Sequence, residues 1–144
     1  MSINFDKFNS VVEIFDVQSS SLKDNPYLWR KNGSKYESLS WKEVRNKVEI
    51  FASVLKNIGI LEGDRVIIVS ENRPEWQIAD LAIMSIGAIT VPVYTTSTTA
   101  DYSHVINHSG ARCMIISSHE LCTKALPAVE SSADCKNVIK INDD

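Results

Sequence analysis

The sequence predicts an α/β fold in which an N-terminal helix and a β-hairpin precede a parallel βαβαβαβ unit. The first observation is a series of β-rich runs spaced about two dozen residues apart, which leaves room for the helical crossovers of a parallel sheet. These runs are Arg65–Ser70, Ile89–Tyr94, Arg112–Ser117 and Asn137–Asn142. The second observation is that apolar residues at helical spacing fill the gaps between the runs, with capping residues before them.

Residues 1–59 are predicted to form a helix–hairpin–helix section. Apolar side chains at helical spacing predict a short amphipathic helix over Ser10–Leu22. Two short strands follow, at Tyr27–Arg30 and Tyr36–Leu39, with Asn32-Gly33 between them. Because asparagine and glycine tolerate positive φ angles, this dipeptide predicts a tight hairpin turn.

The last helix of this section has clear signals at both ends. Ser40 and Glu43 have the S-x-x-E spacing of a capping box, in which each side chain satisfies a free backbone N–H. Gly59 is suited to the left-handed position that ends a helix.

Residues 60–144 are predicted to form the parallel α/β section. Its helix candidates are Pro74–Ile86, Thr99–His108 and Ser118–Ser131, and the pairs with capping spacing are Asn72 with Glu75, Thr98 with Asp101, and Ser117 with Glu120. Gly87 and Gly110 can end the first two helices. The helix at Pro74 is apolar on nearly all sides, which predicts burial between the sheet and a second layer. We expect that second layer to lie outside this chain.

Composition excludes several classes of protein. The chain has 144 residues and a net charge of -3, so no basic field favours nucleic acid. No apolar run approaches the ~20 residues of a bilayer-spanning helix. The N-terminal residues lack the pattern of a secretory signal.

The unevenly spaced cysteines, Cys113, Cys122 and Cys135, suit a reducing compartment, and we expect a cytoplasmic protein. A strand at the very end of the sequence suggests a piece of a longer polypeptide.

The sequence lacks the common motifs of nucleotide binding, nucleophilic catalysis and metal binding. The sequence has no G-x-x-x-x-G-K-[ST] loop, no G-x-G-x-x-G fingerprint and no G-x-S-x-G elbow. The potential zinc ligands are His104, His108, Cys113, His119 and Cys122. They include neither a C-x-x-C pair nor an H-E-x-x-H motif, so we expect no metal site. The acidic residues are scattered rather than paired, and no catalytic residue is assigned.

The best candidate for a site depends on position. In open parallel sheets, ligands bind beyond the carboxyl ends of the strands. Those ends carry Ser70–Arg73, Tyr94–Ser97 and Ser117–His119, where small hydroxyl residues and a tyrosine can shape the rim of a pocket. Capping of the following helices accounts for most of these hydroxyl groups equally well.

Three segments resemble the N-terminal part of the AMP-forming adenylating enzymes, a superfamily that includes acyl-CoA synthetases, luciferases and adenylation domains. Leu39–Val44 is similar to the element L-[TS]-[YW]-x-E-[LV]. Gly63–Val66 together with Asn72–Trp76 resembles G-D-x-V…N-x-x-[ED]-[WF]. Ile86–Tyr94 is similar to G-A-x-x-V-P-[IVL]. Their order and spacing fit the superfamily from about Val11 onward.

Within the superfamily, Glu71–Trp76, Val91–Thr96 and Asn107–Arg112 look most like long-chain fatty-acid–CoA ligases. Thr95 departs from the pattern, because many relatives have proline there. The departure leaves the loop less rigid and weakens any inference about acyl-chain length.

The resemblance implies a part of a larger N-terminal, AMP-binding domain and a two-step reaction. A carboxylate attacks the α-phosphate of ATP to give an acyl-adenylate, and coenzyme A then displaces AMP. It implies ATP, Mg²⁺ and CoA as cofactors of the full-length enzyme, a fatty acid as substrate, and the remainder of the polypeptide as a partner. The family's phosphate loop, adenine pocket and magnesium-binding glutamate come later in the chain. The 144 residues alone are therefore expected to be inactive and to bind no cofactor tightly.

The resemblance implies that these residues supply part of the central sheet and one candidate surface for the substrate. Trp76, Tyr94 and Thr95 are candidate residues for a wall of the acyl pocket, although a core position is the favoured interpretation for Trp76. A homodimer and peripheral contact with a membrane stay open. So do two alternative functions: a free-standing flavodoxin-like binding or signalling module, and a related ligase for a shorter or aromatic acid.

Overall fold

A four-stranded parallel sheet forms the centre of the computed structural model, which describes residues 5–141. A short 3-10 turn at Phe5–Lys7 comes first. The helices are α1 (Val11–Leu22), α2 (Trp41–Asn57), α3 (Pro74–Ser85), α4 (Thr99–Ser109) and α5 (His119–Glu130). The strands are β1 (Pro26–Asn32), β2 (Lys35–Ser40), β3 (Arg65–Val69), β4 (Ile89–Val93), β5 (Cys113–Ile116) and β6 (Asn137–Lys140). The end of the last predicted strand, Asn142, lies outside the described residues.

The sheet has the order β4-β3-β5-β6, and every neighbouring pair is parallel. Val66 of β3 lies between Thr90 of β4 and Cys113 of β5. The chain therefore adds β4 on one side of β3 and then returns to add β5 and β6 on the other. The predicted α/β class, with a helix and hairpin before a parallel βαβαβαβ unit, is confirmed.

Helices cover both faces of this sheet. Since alternate residues of a strand point to opposite faces, each strand contributes side chains to both cores. On one face, Val66 and Ile68 pack with α1, α2 and α3. On the other, Ile67 and Val69 pack with α4 and α5. All four side chains are fully buried. The first core includes residues from both sides of Gly59, and the predicted section boundary there stays a prediction.

The expectation that α3 needs a covering layer from outside the chain is wrong. α3 lies between the sheet and α2, whose buried residues Val44, Val48 and Leu55 belong to the same core as Leu81 of α3. The two helices that precede the sheet in sequence fold back over α3. This long-range packing supplies the layer that its apolar surface requires.

The hairpin forms as predicted, with a small correction at its turn. Asn32 is the last residue of β1 and pairs with Lys35, so the turn residues are Gly33 and Ser34. Gly33 has a φ of +59°, whereas Asn32 is not among the residues with positive φ. Glycine at the first turn position is therefore sufficient for the tight connection.

Two of the predicted capping pairs are confirmed and two are wrong. Ser40–Glu43 and Thr98–Asp101 form complete capping boxes. α3 instead begins after Arg73, with Pro74 at its first turn, where a missing N–H costs nothing.

α5 is capped by Ser118 rather than Ser117, because the hydroxyl of Ser118 accepts from the N–H of Leu121. The three glycines predicted at helix ends, Gly59, Gly87 and Gly110, all have positive φ.

Candidate functional site

The loops that follow β3 and β5 meet at the carboxyl edge of the sheet. These two strands are neighbours in space, although the chain adds β4 between them in sequence. The direction in which the chain adds strands reverses between β3 and β5. Open α/β sheets bind ligands in the crevice beyond the strand ends at such a reversal. The hydroxyl of Ser117 donates a hydrogen bond to Oε2 of Glu71 at 2.5 Å and joins the two loops. Ser117 is fully buried, so this bond satisfies a hydroxyl that water cannot reach.

A cavity of about 560 Å³ opens between the loops after β3 and β4. We call it the edge cavity; its lining residues are Ser70, Glu71, Asn72, Trp76, Pro92, Val93, Tyr94 and Thr95. Its apolar lining residues include Trp76, Pro92 and Val93, and its polar ones include Ser70 and Asn72. Apolar and aromatic side chains together with a few polar groups are typical of small-molecule sites.

The structure brings the three predicted pocket residues, Trp76, Tyr94 and Thr95, together in this cavity. Trp76 is half-buried and packs against the core as well, so its indole belongs both to the core and to the cavity wall. Tyr94 is 84% exposed and stands at the rim. Their assignment to substrate remains a prediction, because adjacency alone does not identify a ligand.

Other hydroxyl residues at this edge have structural tasks. Thr98 caps α4 and Ser118 caps α5, as their accepted backbone hydrogen bonds show. The Ser70 hydroxyl donates to the carbonyl of Glu71 at 2.9 Å. Ser70 and Thr95 are the small hydroxyl residues that line the edge cavity, beside Tyr94.

A charged cluster holds the start of α3 against the hairpin. Nε of Arg73 donates to Oε2 of Glu75 at 2.7 Å, and Nη1 of Arg30 lies 3.9 Å from the other oxygen. Partial burial raises the pKa of Glu75, but the hydrogen bond from Arg73 and the two positive charges outweigh it and lower the pKa overall. Glu75 is thus a carboxylate that links β1 to α3.

The groups suggested for zinc do not gather into a cluster. His104 and His108 stack at 5.6 Å between ring centroids on α4, whereas Cys113 lies in β5. Burial raises the pKa of the Cys113 thiol to about 12. Among residues 5–141, no group of three or more histidine, cysteine, aspartate or glutamate side chains could hold a metal ion. We therefore assign no metal ligand and no catalytic residue to the described part of the chain.

The hydrogen bond between Glu71 and Ser117 is the feature that sequence reasoning missed. Glu71 looked like an isolated carboxylate, and Ser117 like a helix cap. The sequence placed both at strand ends, but only the adjacency of β3 and β5 shows that they meet. Predicting the strand order would have placed Glu71 and Ser117 next to each other.

Comparison with known proteins identifies the family. AMP-binding enzymes match residues 15–144. Over 69 residues, the chain is 42% identical to long-chain-fatty-acid–CoA ligase FadD15 of Mycobacterium bovis, a match that spans 48% of this chain and 12% of the relative. Over 140 residues, it is 32% identical to the mitochondrial acyl-coenzyme A synthetase ACSM4 of Rattus norvegicus, spanning 91% of this chain and 23% of the relative. The chain belongs to the AMP-binding enzyme family.

A solved structure agrees on the fold. The anthranilate CoA ligase AuaEII in complex with anthranoyl-AMP superposes with a TM-score of 0.80 at 18% identity, covering 90% of this chain and 24% of the ligase. The chain thus corresponds to the N-terminal section of an adenylate-forming enzyme and spans less than a quarter of each relative named here. Among residues 5–141, no helix is both long enough and apolar enough to cross a bilayer.

Proposed function

We propose that this chain is the N-terminal section of an AMP-forming fatty-acid–CoA ligase that prefers long acyl chains. The observation that carries the proposal is the match of AMP-binding enzymes over residues 15–144. The 42% identity to a relative named as a long-chain-fatty-acid–CoA ligase supports the substrate class. The reaction in the cytoplasm would proceed in two steps.

In the first step, a carboxylate oxygen of the fatty acid attacks the α-phosphorus of ATP, and pyrophosphate leaves. In the second, the thiol of CoA attacks the acyl carbonyl carbon, loses its proton and expels AMP. Charge neutralisation around the phosphates is the usual demand of such chemistry, and Mg²⁺ supplies part of it. The described residues form neither a metal cluster nor a glycine-rich phosphate loop. The proposal therefore assigns ATP, Mg²⁺ and CoA to the remainder of the polypeptide.

Within this scheme, the edge cavity contributes part of the acyl pocket. Burial of each CH₂ group of an acyl chain is worth about 0.8 kcal/mol, so the pocket must offer apolar surface. The indole of Trp76 offers such surface, and Tyr94 and Thr95 line the same cavity. The cavity lies at the carboxyl ends of β3 and β4, next to the reversal of strand order between β3 and β5.

Pyrophosphate release tests the function. The complete protein, given ATP, Mg²⁺ and a long-chain fatty acid, should release pyrophosphate and form a CoA thioester. The 144-residue chain alone should release none. Release that does not depend on a carboxylic acid would contradict the proposal.

A pair of variants tests the role of Trp76. Trp76→Leu in the complete protein should widen the cavity and shift the preference for acyl-chain length. The control is Leu81→Ala in the same helix, where a buried side chain lies away from the cavity. It should cost about 2–5 kcal/mol of stability without changing the preference. An unchanged preference in Trp76→Leu would remove Trp76 from the acyl pocket.

A ligase for a different carboxylic acid is the second candidate. The relative with the wider match is an acyl-coenzyme A synthetase whose name specifies no long chain, at 32% identity over 91% of this chain. A panel of short, medium, long and aromatic acids in the same pyrophosphate assay separates the two candidates. The sheet order also occurs in flavodoxin-like modules, so it cannot separate a ligase from that alternative, whereas the family match favours a ligase.

A further inference from the structure

A single carboxylate residue lines the edge cavity. Among the described residues of its wall, Glu71 alone has a carboxylate, ammonium or guanidinium group. The other lining residues have apolar, aromatic, amide or hydroxyl side chains. The formal charge that a ligand meets at this part of the wall therefore comes from Glu71.

The Glu71 carboxylate is held in place by the end of a neighbouring strand. The hydroxyl of Ser117 donates to Oε2 of Glu71 at 2.5 Å, and the backbone N–H of Ser117 donates to the carbonyl of Val69 at 3.0 Å. Val69 ends β3 and Ser117 follows β5, so the two bonds join the ends of adjacent strands. A hydrogen bond to a charged acceptor is stronger than a neutral one. The negative charge is thus fixed at the border of the cavity.

The cations near Glu71 do not form an ion pair with it. Arg30, Lys31 and Arg73 share a groove of about 430 Å³ with Glu71 and Glu75. Glu75 engages both arginines, with Nε of Arg73 at 2.7 Å and Nη1 of Arg30 at 3.9 Å. Within residues 5–141, no ion pair joins Glu71 to a cation. None of the three cations lines the edge cavity, so the charge on the cavity side is that of Glu71.

We propose that Glu71 determines which end of the acyl substrate enters the edge cavity. The inference rests on the proposed function, because it concerns the same acyl pocket. A fatty acid has one carboxylate and one uncharged end. Like charges repel in water over a Debye length of about 8 Å, so Glu71 disfavours entry of the carboxylate. The methyl end therefore occupies the cavity beside Trp76, and the carboxylate stays outside, where it can attack ATP.

The same charge sorts substrates by their far end. An α,ω-dicarboxylic acid presents a carboxylate whichever end enters, and Glu71 repels it. An ω-amino acid presents an ammonium group, which Glu71 attracts. An apolar pocket disfavours every polar end because of desolvation, whether the end is a carboxylate, an ammonium or a hydroxyl group. Only a fixed negative charge affects the carboxylate and the ammonium in opposite directions.

Glu71→Gln in the complete protein tests the proposal. The glutamine oxygen can still accept from Ser117, and the charge is gone. Glu71 is exposed, so water screens its charge, and we expect effects of about fivefold. Measured by pyrophosphate release, kcat/KM for hexadecanedioic acid relative to hexadecanoic acid should rise about fivefold. The same ratio for the ω-amino derivative should fall about fivefold, and the ratio for the ω-hydroxy derivative should not change.

Glu75→Gln is the matched control. It removes the same charge from the same groove, but Glu75 does not line the edge cavity. Its lower stability should affect all the acids alike and leave the ratios as in the parent. Equal shifts in the two variants would reduce the effect to net charge. Changes of the same sign for the dicarboxylic and ω-amino acids in Glu71→Gln would show that Glu71 acts through structure alone.

Salt supplies a second measurement that needs no variant. Added salt should weaken the discrimination of the parent protein against the dicarboxylic acid, because it screens exposed charges. Far-UV circular dichroism checks the fold of each variant, and the salt series decides the matter if Glu71→Gln unfolds. Discrimination that is independent of salt and unchanged in Glu71→Gln would overturn the role of Glu71.

The two proposals can fail separately. Calorimetric titration of the complete protein with the same acids, without ATP, gives binding ratios that do not depend on catalysis. Absence of pyrophosphate release with hexadecanoic acid would overturn the proposed function, and the binding ratios would still test Glu71. Normal release with unchanged ratios in Glu71→Gln would overturn the role of Glu71 alone. A parent protein that neither binds nor activates any of the acids would overturn both.

Discussion

At the scale of single residues, Arg65 at the start of β3 joins parts of the chain that are distant in sequence. Its guanidinium donates to the carbonyls of Ser109 at 2.6 Å, Gly110 at 2.9 Å and Gly63 at 3.0 Å. Two of these carbonyls end α4, where backbone oxygens have no partner within the helix. One side chain thus holds the end of a helix against the start of a strand.

Gly110→Ala should destabilise the chain more than Gly59→Ala. Both glycines have positive φ, at +61° and +89°, so each alanine costs about 1–2 kcal/mol of backbone strain. At Gly110, a Cβ would also lie 2.7 Å from Nη2 of Arg65, whereas it meets nothing within 4 Å at Gly59. Displacing the guanidinium should add about 1 kcal/mol. Urea denaturation measures both, and equal losses would contradict the role given to Arg65.

Tyr102→Phe should raise stability by about 1 kcal/mol. Tyr102 is fully buried, and its hydroxyl has no hydrogen-bond partner among the described residues. Removing the oxygen removes a desolvation cost and keeps the ring in place. Tyr36→Phe, at an exposed site, should leave the melting temperature unchanged. A lower melting temperature in Tyr102→Phe would show that the hydroxyl has a partner.

At the scale of elements, two of the predicted capping pairs formed and two did not. Ser40–Glu43 and Thr98–Asp101 are complete within four residues. Glu75 has the spacing of a capping residue, but its carboxylate forms ion pairs with Arg73 and with Arg30 of β1. An ion pair with the nearby Arg73, together with the more distant Arg30, therefore takes the place of the predicted capping hydrogen bond.

Glu75→Gln should weaken the chain at neutral pH and have little effect in acid. The folded state lowers the pKa of Glu75 from 4.5, so its stabilising contribution is present above 4.5 and is lost as pH falls through the lowered value. Urea midpoints of parent and variant should differ at neutral pH and converge below that range. Glu49→Gln, in an exposed ion pair on α2, is the control and should change little. A difference that persists in acid would contradict the assignment.

At the scale of the whole molecule, one sheet separates two cores and couples them. Cys113 and Ile115 of β5 face one core, and Met114 and Ile116 face the other. β5 also pairs with both β3 and β6. Opening β5 therefore disrupts the whole sheet, and its residues should be exposed only on global unfolding.

Thiol labelling tests this coupling. Cys113 is fully buried, and burial raises its pKa to about 12, so little thiolate exists at mildly alkaline pH. Cys122 is half-buried and should react first, while Cys113 and Cys135 should react at the rate of unfolding. A Cys122→Ser variant should show the slow phase alone. Modification of Cys113 as fast as Cys122 would contradict global protection.

What the sequence determined by itself was the local structure and the family. Helix periodicity, capping boxes and turn glycines depend on residues close in the chain, and they located every helix and strand to within a few residues. The elements at Leu39–Val44 and Ile86–Tyr94 indicated the superfamily for the same reason, since a motif is a contiguous pattern.

Only the tertiary structure decided the order of the strands, the partner of α3 and the composition of the edge cavity. Each depends on contacts between residues far apart in sequence, such as the bond from Ser117 to Glu71. Local sequence patterns do not specify which elements become neighbours. Trp76 shows the difference: its sequence context favoured the core, and the fold placed it in the core and in the cavity wall at once.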